Sequence, residues 1–143
     1  MIQKITHKSE VLALIIKNKY KKKKRINFFT NNKLSQQVAY MNHKKGHVIQ
    51  PHIHKKRLKK IYDTSEVLII LDGSMRVDFY DNKKKYLFNR KLIKNDIIIL
   101  LKCGHGFKIK KNCKFIEVKQ GPFDPKQDKF KFLKCLKILN SFQ

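Results

Sequence analysis

The strongest constraint on the fold of this chain is its succession of short segments rich in β-branched and aromatic residues, each bounded by Gly, Asn or Asp. Such segments are typical of strands separated by turns, and their spacing leaves little room for helices between them. We predict strands at residues 11–16, 36–41, 48–54, 66–71, 74–80, 86–90, 96–101, 106–110 and 114–119. The pattern indicates an all-β protein.

The turn signals favour an antiparallel arrangement. Asp72 and Gly73 lie between two apolar segments and fit a two-residue hairpin turn in which both residues take positive φ. Similar signals stand at residues 81–82, at residues 95–96 and at Asn112. We therefore expect a hairpin-rich topology that closes into a small barrel or a double-sheet jelly roll. A length of 143 residues suits a single domain, residues 1–143.

Only the C-terminal part of the chain has a helical pattern. Apolar residues recur there at helical spacing with lysines between them, at Phe132, Leu133, Leu136, Leu139 and Phe142. We predict a short amphipathic helix within residues 129–142. It would pack on the barrel or on a neighbouring subunit.

The net charge of +25 raises the question of a nucleic-acid partner. The chain has 31 Lys and 4 Arg, and the lysines are spread over almost every predicted turn and strand. Arg, the residue favoured for bidentate contacts with phosphates and bases, is scarce. We attribute the charge to an AT-rich coding sequence and expect no nucleic-acid partner. The densest basic run, residues 19–25, is interpreted as a solvated loop, with an adherent surface loop as the alternative.

Cysteine usage and hydropathy indicate the compartment. Cys103, Cys113 and Cys135 form no paired framework of the kind that small secreted domains use, which favours a reducing cytoplasm. The apolar segment 11–16 is far shorter than the ~20 residues that a membrane-spanning helix needs. We expect a cytoplasmic protein without a membrane span.

Histidines at alternate positions suggest a metal site. His52 and His54 would project from the same face of the predicted strand 48–54, and Glu66 and His105 would complete the set. Three imidazoles and one carboxylate suit a divalent first-row ion such as Zn, Mn, Fe or Ni, and leave room for water or substrate. His47 would face the opposite way. Two half-buried histidines that serve packing or surface roles are the alternative.

This spacing resembles the first motif of the cupin family. Gly46 precedes His52 by five intervening residues, His54 completes the His-x-His pair, and six residues separate Glu66 from Gly73, as in that motif. The resemblance implies a double-stranded β-helix, or jelly-roll barrel, and the metal ligands His52, His54, Glu66 and His105. The core of the barrel would span residues 28–122.

The chain departs from the cupin pattern at several positions. Eleven residues, 55–65, replace the three or four that the family has between its His-x-His pair and its Glu. The second cupin motif resembles residues 95–107, with Asn95 in place of Gly, Leu101 in place of Pro and one residue missing before His105. The insertion leaves the position of Glu66 open.

A longer resemblance suggests a biological context. The segments 28–30, 51–54, 64–67, 76–80, 104–107 and 117–122 are similar to a group of small bacterial cupins often associated with cell-surface polysaccharide biosynthesis. The similarity implies a sugar or nucleotide sugar as ligand, and an isomerase or epimerase as the function. An Fe-dependent dioxygenase and a non-catalytic sugar-binding or regulatory protein are the alternatives.

Three residues are candidates for catalysis. His105, or the ion, would polarise a carbonyl. Glu117 and Lys119 share one face of the predicted strand 114–119 and would supply an acid and a base at the mouth of the barrel. An ordinary solvent-facing pair is the alternative for these two residues.

Other residues are candidates for binding the ligand. Arg76 would clamp a carboxylate or phosphate, or else form a surface ion pair. Tyr40 and Gln37 would contact sugar hydroxyls, or else lie at the rim of the barrel. Cys103 is interpreted as a small apolar filler near His105, with a neighbouring ligand or a redox-sensitive thiol as the alternatives. We also expect a homodimer, formed through edge strands or the apolar C-terminal stripe.

Overall fold

Every regular element that the structure describes is a β-strand, which confirms the all-β prediction. The computed structural model describes residues 1–21 and 25–133. Its strands are β1 (Ile2–His7), β2 (Glu10–Ile16), β3 (Ile26–Phe28), β4 (Ala39–Met41), β5 (Glu66–Tyr80), β6 (Tyr86–Ile93), β7 (Ile97–Leu100) and β8 (Gly104–Lys119). Of the predicted helix at 129–142, residues 129–133 form no helix and the rest lies outside the described residues. The described ranges contain no helix long and apolar enough to cross a membrane.

The strands form one large antiparallel sheet and one small one. The large sheet has the order β1-β2-β7-β5-β6, and β8 pairs with the other edge of β5. Strands β3 and β4 form a separate two-stranded sheet. The antiparallel pairing agrees with the topology expected from the turn signals.

Strand β5 curls strongly and gives the large sheet the shape of a half-barrel. Its first residue, Glu66, pairs with Leu100 of β7, and its last, Tyr80, pairs with Gly104 of β8. A straight strand of 15 residues is about 47 Å long. Four residues of chain from Leu100 to Gly104 span at most about 14 Å, and each strand pairing adds about 5 Å. The two ends of β5 are therefore brought close together.

The bend in β5 lies at Gly73, where we predicted a hairpin turn; that prediction is wrong. The chain continues through Asp72 and Gly73 as one strand, and its register against β8 shifts on both sides of Asp72. Gly73 has a φ of +74°, and a Cβ atom built on it would lie 1.8 Å from the backbone oxygen of Asn112. The turn signals at Gly73 and Asn112 thus mark facing irregularities in two long strands. They merge the predicted strands 66–71 and 74–80 into β5, and 106–110 and 114–119 into β8.

The other strand predictions have mixed outcomes. Strands β2, β6 and β7 confirm the predictions at 11–16, 86–90 and 96–101 within a few residues at each end. The prediction at 36–41 shrinks to Ala39–Met41, and β1 and β3 were not predicted.

The predicted strand at 48–54 is wrong. Residues 48–54 belong to a segment, 42–65, that contains no strand. Val48 and Ile53 are 66% and 94% exposed, so their apolar side chains do not pack into the core. Alternation of apolar residues gives a strand only where a neighbouring strand supplies hydrogen bonds and a surface to cover.

The large sheet is buried on both faces at its centre. Its inner face carries most of the larger core cluster, with Ala13 and Ile15 of β2 packed among residues of the neighbouring strands: Leu68, Ile70, Met75, Val77, Phe79, Leu92 and Ile98. The outer face carries a smaller cluster of Leu14, Ile16, Val67 and Ile99, against which Tyr20, Phe29 and Val38 pack. Burial on both faces explains the continuous apolar runs of β2 and β7.

A buried carboxylate anchors the turn between β6 and β7. Asp96 is fully buried and accepts hydrogen bonds from the backbone N–H groups of Asn18, at 2.9 Å, and Ile93, at 3.1 Å. Lys17 forms an ion pair with the same side chain. Asn95 beside it has a φ of +66°, a conformation that Asn tolerates well. These contacts tie the end of β2 to the turn that leads into β7.

Candidate functional site

A cleft of about 570 Å³ lies where the beginnings of β5 and β8 meet. Glu66 opens β5, and Gly104 and His105 open β8. Residues 128–132, which follow β8 after a short connection, form a further wall. The curl of the large sheet places the cleft beside the inner core.

The cleft contains a direct contact between an imidazole and a carboxylate. In the register of the sheet, His105 lies opposite Phe79, thirteen positions along β5 from Glu66. The curl nevertheless brings His105 Nε2 to 3.0 Å from Glu66 Oε2. Glu66 is 5% exposed, so its carboxylate is largely removed from water.

The surroundings of His105 favour its charged form. Burial, the largest single influence, lowers the pKa of His105, because a charged ring is costly to remove from water. Hydrogen bonds with Cys103 and Glu66, together with the negative charge of Glu66, outweigh that influence and raise the pKa to about 10. His105 is therefore an imidazolium at neutral pH. It donates through Nε2 to Glu66 and through Nδ1 to the backbone oxygen of Cys103, at 3.2 Å.

Glu66 is held in its ionised form. The hydrogen bond from His105 is the largest influence and lowers the pKa of Glu66, while partial burial opposes it. The positive charges of His105, Lys129 and Lys119 lower this pKa further. Oε2 is engaged by His105, whereas Oε1 lies 3.9 Å from Lys129 Nζ. Oε1 is thus the carboxylate atom best placed to accept a hydrogen bond from a ligand.

Aromatic rings and lysines line the remainder of the cleft. The rings of Tyr80 and Phe132 meet edge to face, with their centroids 5.1 Å apart, and Phe130 lies on the same wall. Lys119 contacts Asp128 at 3.3 Å. Apolar ring faces beside hydrogen-bonding groups suit a ligand such as a sugar, which has both apolar C–H patches and hydroxyls.

The four predicted metal ligands are only partly brought together. Glu66 and His105 touch, but His52 and His54 lie exposed in the segment 42–65 and do not line the cleft. Their rings are 5.2 Å apart, and His52 Nδ1 lies 2.9 Å from the backbone oxygen of Gln50. Within residues 1–21 and 25–133, no three or more His, Cys, Asp or Glu side chains are grouped to hold a metal ion. Two of the four predicted metal ligands, Glu66 and His105, therefore lie together, and the other two lie apart from them.

Two of the three predicted catalytic residues line the cleft, and the third does not. His105 and Lys119 line the cleft. Glu117 lies two positions before Lys119, on the same face of β8, but its side chain is exposed and it does not line the cleft. Glu117 and Lys119 thus share one face of β8 as predicted, but only Lys119 reaches the cleft.

The predicted ligand-binding residues lie outside this cleft. Arg76 forms a bidentate ion pair with Asp78, through Nε and Nη2 at 2.9 Å each, which corresponds to the ion-pair alternative. Tyr40 packs its ring edge to face against Tyr20. Gln37 donates hydrogen bonds to two backbone oxygens of its own loop.

Sequence reasoning missed the aromatic wall and the residues that follow β8. Tyr80 stood inside a predicted strand without a role, and residues 128–132 were assigned to a helix. The alternation of Lys and Phe at 129–132 was the available signal, because period-two alternation indicates an extended segment.

Comparison with protein-family models, with curated proteins and with solved structures found no match to this chain.

Proposed function

We propose that the protein binds a sugar or nucleotide sugar in the cleft of Glu66 and His105 and isomerises or epimerises it. The observation that supports this proposal is an ionised, largely buried carboxylate, fixed by an imidazolium, in a cleft with an aromatic wall. The hydrogen bond and the positive charge of His105 lower the pKa of Glu66, so the carboxylate stays ionised at neutral pH and is free to accept a proton from a ligand. The cupin resemblance adds the expectation of a sugar ligand.

The chemistry would be a proton transfer next to a carbonyl. Glu66 Oε1 would take a proton from the carbon beside the sugar carbonyl to give an enediolate. In an isomerisation, a proton then returns to the former carbonyl carbon while the neighbouring hydroxyl proton moves to the former carbonyl oxygen; in an epimerisation, a proton returns to the original carbon from the opposite face. Neither reaction consumes an oxidant or a reductant. Lys129 and Lys119 would stabilise the negative charge that develops on the carbonyl oxygen. His105 would keep Glu66 ionised and oriented.

A non-catalytic sugar-binding protein is the second candidate. Both N–H groups of His105 already have acceptors, Glu66 and the backbone oxygen of Cys103. The imidazolium would have to leave one of them before it could protonate a ligand. This observation favours binding without turnover.

The divalent metal ion, and with it the Fe-dependent dioxygenase, stays a prediction. It requires the segment 42–65 to bring His52 and His54 to Glu66 and His105. Metal content of protein purified without chelator tests it, beside a His52→Ala/His54→Ala variant. A near-stoichiometric ion that this variant loses would support the predicted ligand set.

The experiment for the main proposal is NMR in D₂O with a panel of aldoses, ketoses and their nucleotide derivatives. We expect broadening of the signals of at least one ligand, and deuterium incorporation beside its carbonyl. Glu66→Gln should reduce incorporation about 100-fold or more, because it removes the base. Glu10→Gln, an exposed acidic position of β2, should leave it unchanged.

The outcomes separate the alternatives. Binding without incorporation would favour the non-catalytic candidate over the isomerase. Loss of incorporation in Glu117→Gln with full incorporation in Glu66→Gln would contradict the role of Glu66 and restore the base predicted from the sequence. Absence of any binding would reject the sugar proposal.

We also propose that the protein forms a homodimer through β8. Among the described strands, β8 pairs only with β5, so its other edge has backbone groups available for pairing. Phe107 and Ile109 on this strand are 38% and 50% exposed. Exposed apolar side chains along a free edge favour strand-to-strand association. The C-terminal apolar stripe beyond residue 133 lies outside the described residues.

Sedimentation analysis tests the homodimer. We expect the mass of two chains for the unaltered protein and that of one chain for Ile109→Lys, because a lysine there would place charge in an apolar interface. Lys110→Gln, next along the strand, should keep the dimer. A single-chain mass for the unaltered protein at about 50 μM would contradict the proposal, because stable homodimers have a Kd well below that concentration.

A further inference from the structure

A second cavity, of about 460 Å³, lies behind the first. It is open to solvent on one side and is lined by residues 32–35, Gln37, residues 57–63, Ser65, Leu101 and Lys102. Neighbouring positions alternate between the two cavities, since Glu66 and Cys103 line the first while Ser65 and Lys102 line the second. The two cavities thus lie back to back across the same stretches of chain.

Hydrogen bonds fix the wall formed by residues 32–37. Gln37 Nε2 donates to the backbone oxygens of Asn31, at 2.9 Å, and Leu34, at 2.8 Å. Gln120 joins this wall to the start of β5, because its Oε1 accepts from Ser65 N–H at 2.8 Å and its Nε2 donates to Ser35 Oγ at 3.1 Å. The shape of this side of the cavity is therefore set before any ligand binds, which lowers the entropic cost of binding.

The lining of the second cavity is strongly cationic. It contains five basic side chains, Lys33, Arg57, Lys59, Lys60 and Lys102, and one carboxylate, Asp63. That carboxylate already contacts Lys102, at 3.2 Å. Like charges that converge on a concave surface produce a focused positive potential, and this potential attracts and holds an anion.

We propose that this second cavity binds a small anion with two or more linked phosphate groups. Arg57, Lys59 and Lys60 come from the segment 55–65, whereas Lys33 comes from the wall formed by residues 32–37 and Lys102 from the connection between β7 and β8. Cations on several sides suit an anion with several charged groups, and guanidinium and ammonium groups are the usual ligands of phosphate. The cavity volume fits a small molecule. This site is separate from the cleft of Glu66 and His105, and residues 57–63 of the segment 55–65 form one of its walls.

The test is calorimetric titration of the full-length protein with pyrophosphate and tripolyphosphate at constant ionic strength. The triple variant Arg57→Gln/Lys59→Gln/Lys60→Gln is compared with Lys108→Gln/Lys110→Gln/Lys111→Gln, which removes the same charge from exposed positions of β8. Both sets of residues are exposed, so both variants should keep the fold. Circular dichroism checks this, and Lys33→Gln alone replaces the first triple variant if it does not fold.

We expect one bound tripolyphosphate per chain, and a loss of affinity of about tenfold or more in the cavity variant, the equivalent of one charge-assisted hydrogen bond. The β8 variant should lose less than about threefold, since distant charges are screened by salt. Equal losses in both variants, or no binding of either probe, would overturn the proposal. Tighter binding of a single-stranded oligonucleotide that weakens equally in both variants would assign the charge to nucleic acid instead.

Discussion

Replacement of Gly73 with alanine is expected to lower the free energy of unfolding by about 4 kcal/mol or more, or to prevent folding. A Cβ atom at this position would lie 1.8 Å from the backbone oxygen of Asn112 and 2.7 Å from its carbonyl carbon. The atoms in the way belong to the backbone of β8, so a change of rotamer cannot relieve the overlap. The two strands would have to separate at their bend.

Gly46→Ala is the matched control for this prediction. Gly46 has a similar φ of +82°, but nothing lies within 4 Å of the position of its Cβ atom. Gly46→Ala should lower the free energy of unfolding only by the cost of a positive φ for alanine, about 1 kcal/mol. Urea denaturation followed by circular dichroism measures both variants. Similar losses in the two variants would show that the close approach of β5 and β8 at Gly73 does not exist.

Replacement of Glu66 with glutamine is expected to lower the pKa of His105, because it removes the negative charge that stabilises the imidazolium. In the unaltered protein the pKa of His105 is about 10, so the imidazole should show no titration between pH 5 and 8. Without the carboxylate, burial still lowers the pKa of His105 and the hydrogen bonds with Cys103 still raise it, but the hydrogen bond and the negative charge of Glu66 are lost, so the pKa should fall from about 10. Titration of the His105 ring nitrogens by NMR measures this change. An imidazole that titrates near pH 6.5 in the unaltered protein would contradict the pairing.

The same substitution is expected to lower stability by about 2 kcal/mol near pH 6, because it leaves a half-buried imidazolium without its counter-charge. The dependence on pH follows from the directions of the two pKa changes. His105 has a raised pKa, so its contribution is complete below 6.5 and is lost as the pH rises towards about 10. Glu66 has a lowered pKa, so its contribution is present above 4.5 and is lost as the pH falls through its folded-state pKa. The stability difference between the two proteins should therefore be largest between pH 4.5 and 6.5.

Glu117→Gln is the control for the stability measurement. Its side chain is exposed on β8, so its removal should change the free energy of unfolding by at most about 0.5 kcal/mol over the same pH range. Urea denaturation at pH 4, 6 and 9 gives the comparison. A constant difference between Glu66→Gln and the unaltered protein at all three values would show that no titrating pair contributes to stability.

The sequence was informative about strands and turns, and less so about how they connect. Strands β2, β6 and β7 were predicted because β-branched side chains suit a pleated, buried surface. The signal at Gly73 was real, since this residue does take a positive φ. A positive φ serves a hairpin turn and a strand irregularity equally well. The partner strand β8 selects between them, and it lies more than thirty residues further along the chain.

The candidate site, like the fold, was predicted from the sequence only in part. Sequence spacing nominated both Glu66 and His105, as members of a metal site that would also include His52 and His54. Placement of the two histidines on one face required a strand at 48–54, and this segment has no strand to pair with. The direct contact between Glu66 and His105 was not predicted, because it depends on the curl of the large sheet.

The sequence by itself determined the class of the fold, because strand propensity and turn conformation are local properties of a few neighbouring residues. It also determined which chemically capable side chains are available, with Glu66 and His105 among them. Only the tertiary structure decided which of them meet. Contact between residues 39 positions apart depends on strand pairing, on the bend at Gly73 and on which segments find a partner strand. These are properties of the whole chain.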